Sequence, residues 1–137
     1  MFKKLVTCFT GFIIYNNTFA AEWKLLTYND DYFIYVDKTS IKAHLDSSTL
    51  DFWYKFTARK NIIEEKTYTG DYGLSYQTLN CHDKTIATKS YVTYQTNGMV
   101  KESESSNTPS FSPIVPESIG EAFLDLCTIE LRSKAGL

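Results

Sequence analysis

An alternating stretch from Ser48 to Arg59, STLDFWYKFTAR, restricts the fold of this chain more than any other segment. Successive side chains of a β-strand point to opposite faces, so a strand with one buried face alternates apolar and polar residues. One face would carry Leu50, Phe52, Tyr54, Phe56 and Ala58, and the other Asp51, Trp53, Lys55, Thr57 and Arg59. The stretch therefore predicts a long strand with one buried face, and it places a large aromatic residue, Trp53, on the wetter face.

Further strand candidates lie on both sides of this stretch, and each is rich in aromatic and β-branched residues. They are WKLLTY (23–28), YFIYVD (32–37), LSYQTLNCH (74–82), TIATKSYVTYQ (85–95) and MVKESE (99–104). Turn residues at 29–31, 82–84 and 96–98 separate consecutive candidates, as expected for hairpins. DKTSI (37–41) indicates a tight turn or one short helical turn. The less regular stretch Asn61–Gly73 would connect two long strands, and the polar stretch Ser103–Ser112 would run over the surface.

One helix is predicted, over residues 116–131. Ser118 and Glu121 have the spacing of a capping box, in which each side chain satisfies the other residue's backbone N–H. An apolar stripe follows at three- and four-residue spacing, made of Ile119, Ala122, Phe123 and Leu126, with Cys127 beside it. The predicted fold is α+β: an antiparallel sheet of five or six strands with one C-terminal helix packed on it.

The first twenty residues have the sequence pattern of a secretory signal peptide. Lys3 and Lys4 precede an apolar run, Leu5–Tyr15, that is too short to span a bilayer, and Ala20 ends a small-x-small cleavage site. We therefore expect a signal peptide over 1–20 and a single domain over 21–137. Lipidation at Cys8 is the alternative, but Thr7 stands where that processing needs Gly, Ala or Ser, so we expect soluble export without a lipid anchor. No later apolar run reaches membrane-spanning length.

Net charge argues against two classes of partner. Without Lys3 and Lys4, 12 basic residues face 16 acidic ones, a net charge of about −4. Nucleic acid and anionic lipid surfaces both require a basic face. We therefore expect neither as the main partner.

Cysteine usage predicts one disulfide. Cleavage of the leader would remove Cys8 and leave Cys81 and Cys127 in an oxidising compartment, where two cysteines are expected to pair. His82 adjoins Cys81, but adjacent strand residues point to opposite faces, so His82 is badly placed to activate a thiol. His44, the other histidine, is remote in sequence and has no supporting pattern around it.

Motifs for other chemistry are missing from the sequence. No spacing of histidines and cysteines suits a metal, and no phosphate-binding or nucleophile motif occurs. We therefore predict no catalytic, cofactor-binding or metal-binding residues. A hydrolase that uses paired carboxylates stays open, because the separation of such a pair is spatial.

Aromatic residues make up 15% of the chain. Tyr and Trp combine a large apolar area with a polar group, which is why protein interfaces favour them. Filling of a small β-sheet core is the alternative explanation for most of these residues. Trp53, Tyr68 and Tyr72 are the predicted binding residues, because they lie off the apolar face of a strand or in a connection.

Several of these segments, taken in order, resemble the surface-adhesin protein E-like domain family of Gram-negative bacteria. The resemblance covers nearly the whole region after the leader. It rests on Trp23, YVDKTSI (35–41), Trp53, SYQTLNC (75–81), YQTNG (94–98) and FSPIVPESIGEAFLDLC (111–127). Asn80 stands where the family often has Asp, and Phe111 where it often has Trp. The resemblance implies an antiparallel sheet and a C-terminal helix joined by a Cys81–Cys127 bridge. It also implies an exported protein, because the founding relatives are lipid-anchored adhesins that bind host matrix and plasma proteins.

These observations together predict an exported, non-enzymatic binding protein in the periplasm or at the cell surface. Its partner would be a protein, such as a host extracellular-matrix or plasma protein. A periplasmic inhibitor or envelope factor, for example one acting on lysozyme, is the alternative, since the acidic balance would steer a basic enzyme towards it. A homodimer formed through an edge strand or a sheet face is also predicted.

Overall fold

The computed structural model describes residues 20–58, 72–95 and 97–137. The expected leader with Cys8, the candidate Tyr68 and most of the connection predicted over 61–73 lie outside the described residues. The described elements are β1 (Trp23–Tyr28), β2 (Tyr32–Asp37), a 3₁₀ turn (Lys38–Ser40), β3 (Lys42–His44), β4 (Thr49–Ala58), β5 (Tyr72–Asn80), β6 (Thr85–Tyr94), β7 (Val100–Ser105), β8 (Ser112–Pro113) and α1 (Ile119–Lys134).

The strands form one antiparallel sheet in which neighbours along the chain are neighbours in space. The order is β1-β2-β4-β5-β6-β7, with β3 paired to β4 and β8 paired to β6. Strand β3 continues along the edge of β4 that β2 occupies, and β8 continues along the edge of β6 that β7 occupies. The sheet thus has six strand positions and eight strand segments, which confirms the predicted antiparallel sheet with one C-terminal helix.

The break between β2 and β3 is organised by Asp37 and Ser40. One carboxylate oxygen of Asp37 accepts hydrogen bonds from the Thr39 backbone N–H at 3.0 Å, the Thr39 hydroxyl at 2.7 Å and the Glu22 N–H at 3.0 Å. At this break the Trp53 N–H donates to the Ser40 hydroxyl oxygen at 2.9 Å. A buried N–H left without an acceptor is costly. Because the Ser40 hydroxyl accepts the Trp53 N–H, β4 can continue without interruption opposite the break between β2 and β3. The short helical turn predicted for DKTSI is confirmed.

The hydrophobic core lies on one face of the sheet, beneath α1. Leu50 and Phe52 of β4 and Leu79 of β5 are fully buried, and the Phe52 ring lies 5.0 Å from that of Phe123 in the helix. Alternate residues of β4 therefore face the helix, as the period of two predicts.

Helix α1 begins where the sequence predicts a cap, although the cap differs in detail. The Ser118 hydroxyl oxygen accepts a hydrogen bond from the Gly120 N–H at 3.2 Å. The backbone N–H of Ser118 donates to the Val115 carbonyl at 3.3 Å, rather than to the Glu121 side chain of the predicted capping box. The tight turn before the helix already satisfies this N–H, so Glu121 is left exposed in the first turn.

The predicted disulfide is confirmed. Cys81 follows β5 and Cys127 lies in the third turn of α1, and their sulfur atoms are bonded across 46 positions of sequence. Cys127 is 3% exposed among the core residues. The bridge therefore fastens the helix to the end of the β5–β6 hairpin.

Candidate functional site: the aromatic face

The face of the sheet opposite α1 carries a group of half-buried aromatic side chains. We call this surface the aromatic face. Its half-buried aromatic members come from five strands and are Trp23, Phe33, Tyr35, Trp53, Tyr72, Tyr76 and Tyr94.

Strand register stacks these rings in pairs. Trp53 is directly opposite Tyr76 on β5, and their rings lie 5.2 Å apart at an interplanar angle of 21°. Tyr72 is directly opposite Tyr94 on β6, with rings 4.9 Å apart at 14°. Cross-strand aromatic pairs contribute about 0.2–1 kcal/mol each and hold one another in fixed orientations. The aromatic face is therefore an ordered surface.

Two lysines lie over these rings. The Lys55 ammonium is 4.9 Å from the Trp23 ring centre and 5.1 Å from that of Tyr35. The Lys89 ammonium is 5.2 Å from the centre of the Tyr76 ring. Cation–π contacts of this kind are worth about 0.5–1 kcal/mol at exposed sites. They place positive charge at defined points of a largely apolar surface.

A β-bulge aims Lys89 at this face. Tyr76 pairs with Ser90 and Gln77 pairs with Thr88, so Lys89 is the extra residue of β6. A bulge re-aims a side chain by adding one residue opposite a regular strand. Lys89 thereby reaches Asp51 at 3.2 Å as well as the Tyr76 ring.

Asp51 forms a polar corner at the edge of the aromatic face. Its carboxylate lies 3.2 Å from Lys89 Nζ and 3.2 Å from His44 Nε2. Partial burial alone would raise the pKa of the Asp51 carboxyl. Hydrogen bonds from Thr78 and Lys89, the charge of Lys89 and the hydrogen bond with His44 outweigh burial and hold that pKa below its usual value. The charge of Lys89 is thus balanced within the protein.

Lys55 differs from Lys89 in its surroundings. Its ammonium contacts two rings, and no carboxylate of residues 20–58, 72–95 or 97–137 forms a salt bridge with it. An acidic group on a ligand could therefore reach a cation that is already desolvated on one side.

The structure brings two of the three predicted binding residues to one surface. Trp53 and Tyr72 both lie on the aromatic face, while Tyr68 is outside the described residues. Sequence reasoning missed five further members of this face, which are Trp23, Phe33, Tyr35, Tyr76 and Tyr94. The period of two predicted which face of β4 each residue occupies, but it could not show which rings on other strands lie opposite Trp53.

Neither described cysteine is available as a nucleophile, because Cys81 and Cys127 are bonded to each other. The His82 side chain is exposed, and its Nδ1 lies 3.0 Å from Asp83 Oδ1 in the turn between β5 and β6. Within the described ranges, no three His, Cys, Asp or Glu side chains come together as metal ligands. No helix in the described part of the chain is long and apolar enough to cross a membrane.

Comparison with known proteins gives one family and one fold. The family model for surface-adhesin protein E matches residues 23–127. Crystal form II of Haemophilus influenzae protein E is 9% identical, with a TM-score of 0.50 over 82% of this chain and 98% of that chain. Protein E from non-typeable Haemophilus influenzae is 13% identical, with a TM-score of 0.48 over 77% of this chain and 75% of that one. No curated protein matches the chain.

Proposed function

The chain belongs to the surface-adhesin protein E family, which matches it over residues 23–127, and from this premise we propose that it is an exported, non-enzymatic adhesin. It binds a protein ligand through the aromatic face. The observation that carries this proposal is the ordered, half-exposed set of rings on the side of the sheet away from α1.

The chemistry of the aromatic face suits a protein partner. Protein interfaces concentrate their binding energy in Tyr, Trp and Arg side chains that are already ordered before association. Stacking of Trp53 on Tyr76 and of Tyr72 on Tyr94 limits the side-chain entropy lost on binding. The ligand would lay an apolar or aromatic segment on these rings.

Lys55 adds a requirement for charge on the ligand. Its ammonium lies over Trp23 and Tyr35, and it forms no salt bridge within the described ranges. A ligand carboxylate could pair with this ammonium while the ligand's apolar atoms contact the rings. The ligand therefore carries an acidic residue beside an apolar one, and the family relationship favours a host extracellular-matrix or plasma protein.

Export is part of this proposal. A leader over 1–20, followed by a domain over 21–137, would deliver the protein to the periplasm or the cell surface. Cell fractionation with labelled palmitate, with and without Cys8→Ala, separates a lipid-anchored protein from a free one. Incorporation of label that depends on Cys8 would contradict soluble export.

The binding test uses surface plasmon resonance with immobilised host matrix and plasma proteins. Trp53→Ala removes a stacked ring, and we expect it to weaken binding by about 2 kcal/mol, the size of an interface hot spot. Lys55→Glu reverses a charge that forms no salt bridge within the described ranges, and it should weaken binding. It should also cost the two cation–π contacts of Lys55, about 0.5–1 kcal/mol of stability each. Ile129→Ala is the matched control, because Ile129 is 60% exposed on the helix, away from the aromatic face.

Two results would contradict the proposal. If the purified protein binds none of these ligands and deletion of its gene leaves whole-cell binding unchanged, the proposed adhesin function is wrong. If binding occurs but Trp53→Ala and Lys55→Glu behave like Ile129→Ala, the aromatic face is not the binding surface. A lysozyme inhibition assay at high molar excess tests the alternative of a periplasmic inhibitor, and light scattering tests whether a homodimer forms.

A further inference from the structure

A concave site lies on the side of the sheet opposite the aromatic face. The first turn of α1 and the segment before it, together with the sheet, line a cavity of about 550 Å³ that is open to solvent on one side. This volume is within the range of about 300–1,000 Å³ that small-molecule sites occupy. Its walls are mostly aliphatic and aromatic, and they include Ile34, Phe56, Ile86, Ile114, Ile119 and Phe123.

The polar groups of the cavity are uncharged. Gln77, which is 4% exposed, lines it, and its side-chain nitrogen donates to the Ser75 hydroxyl at 2.6 Å and to the Thr88 hydroxyl at 2.9 Å. Tyr54 also lines the cavity, and burial raises the pKa of its phenol although the hydrogen bond with Ser75 opposes the rise. Amide and hydroxyl oxygens can each accept more than one hydrogen bond, so this polar floor has acceptor capacity left for a ligand donor.

Two glycines keep the walls in place. A Cβ at Gly73 would overlap the Phe56 ring, so the bare backbone of β5 lets this ring lie across it as part of the wall. A Cβ at Gly120 would lie 2.8 Å from Ile114 Cγ2, so this glycine lets the segment before α1 close against the first helical turn. Close packing of this kind has little freedom to collapse inwards.

We propose that this cavity binds a neutral amphiphile: an alkyl chain that ends in a hydroxyl or amide group. The chain would contact the aliphatic and aromatic walls, and the head group would donate a hydrogen bond to the floor formed by Gln77 and Tyr54. An ionised head group is excluded, since none of the described lining residues is charged and a buried charge without a partner is strongly destabilised.

The experiment measures displacement of a fluorescent apolar probe, N-phenyl-1-naphthylamine, from the purified protein. The competitors are dodecanol, used below its solubility limit, and laurate and dodecyltrimethylammonium, each used below its micelle concentration. Chain length is therefore constant and only the head group changes. We expect dodecanol to displace the probe at a concentration about tenfold or more below those of the two charged competitors.

Substitutions in α1 test whether the probe and dodecanol bind in this cavity. Ile119→Trp fills the cavity from the helix and should weaken probe and dodecanol binding about tenfold or more, because it occupies the volume of the alkyl chain. Ile129→Trp, on the exposed side of the same helix, is the matched control and should bind as the unchanged protein does. If Ile119→Trp fails to fold, Val115→Trp replaces it, because Val115 is a 64% exposed wall residue that can accept a larger side chain.

Three outcomes would overturn the proposal. The probe could fail to bind, or the charged amphiphiles could displace it as well as dodecanol does. A folded wall variant, judged by its thermal unfolding, could also bind like the unchanged protein. None of these outcomes depends on the aromatic face, so the result stands apart from the test of adhesion.

Discussion

Removal of the Cys81–Cys127 bridge should cost this domain a large part of its stability. The bridge closes a loop of 46 positions that contains β6, β7, β8 and the first half of α1. The chain-entropy relation converts a loop of this length into about 4 kcal/mol at 25 °C. Most small domains have a net stability of about 5–15 kcal/mol, so the loss is a substantial fraction of the total.

The loss of packing around Cys127 would lower the free energy of unfolding further, by a smaller amount. Cys127 lies among core residues that include Phe123 and Leu126, and replacing it with alanine leaves a gap where the sulfur was. A gap of this size costs about 1 kcal/mol or less. Because the helix keeps its core contacts, we expect a native but weaker fold, with a melting temperature lower by about 12–20 °C.

The assay is urea unfolding followed by tryptophan fluorescence and far-ultraviolet circular dichroism. It compares the oxidised protein, the Cys81→Ala/Cys127→Ala double variant and the unsubstituted protein kept reduced in dithiothreitol. Both bridge-free forms should lose a similar free energy of unfolding, since both lose the same loop constraint. A loss below about 1 kcal/mol in the double variant would refute the loop-entropy reasoning.

Three further predictions follow from individual contacts. Asp51→Asn should lower the free energy of unfolding by about 1 kcal/mol at neutral pH. The pKa of Asp51 is lowered by folding, so this stabilisation is present above the unfolded-state pKa of about 4 and is lost as pH falls through the folded-state value. Urea denaturation curves of the unsubstituted protein and of Asp51→Asn should therefore converge at low pH. A difference in stability that stays constant with pH would contradict this role of Asp51. Gly73→Ala should destabilise by about 1–3 kcal/mol in urea unfolding, because its Cβ would overlap the Phe56 ring. Gly98→Ala has nothing within 4 Å of its Cβ, so it should cost only the backbone strain of a non-glycine residue at a φ of 82°, about 1 kcal/mol. The Tyr91 hydroxyl donates a hydrogen bond to Glu102, and this bond, with the charges of Glu102 and Glu104, raises the pKa of Tyr91 to about 12. Glu102→Gln should lower the pKa of Tyr91 in an NMR titration of labelled tyrosine, whereas Glu121→Gln should leave it unchanged.

Local chemistry determined much of the fold. The hairpin turn at 82–84 is an example: the Asn80 side-chain oxygen accepts from the Asp83 N–H at 2.9 Å, and Lys84 adopts a left-handed backbone with φ of 55°. Asn and Asp favour such turns because their short side chains bond to nearby backbone. The site was predicted less completely, since only Trp53 and Tyr72 were found among its seven half-buried aromatic members.

Features that depend on residue type and on neighbours along the chain could be predicted from the sequence. They are the face on which each residue of β4 lies, the serine that caps α1 and the pairing of Cys81 with Cys127. Other features depend on the register between strands and on how the helix lies on the sheet, so they could not be predicted from the sequence. The bulge that turns Lys89 towards Asp51, the stacking of Trp53 on Tyr76 and the cavity beneath the first turn of α1 are of this kind. Periodicity predicts which face a side chain occupies, but the distance between two side chains on different strands is set by the packing of the whole core.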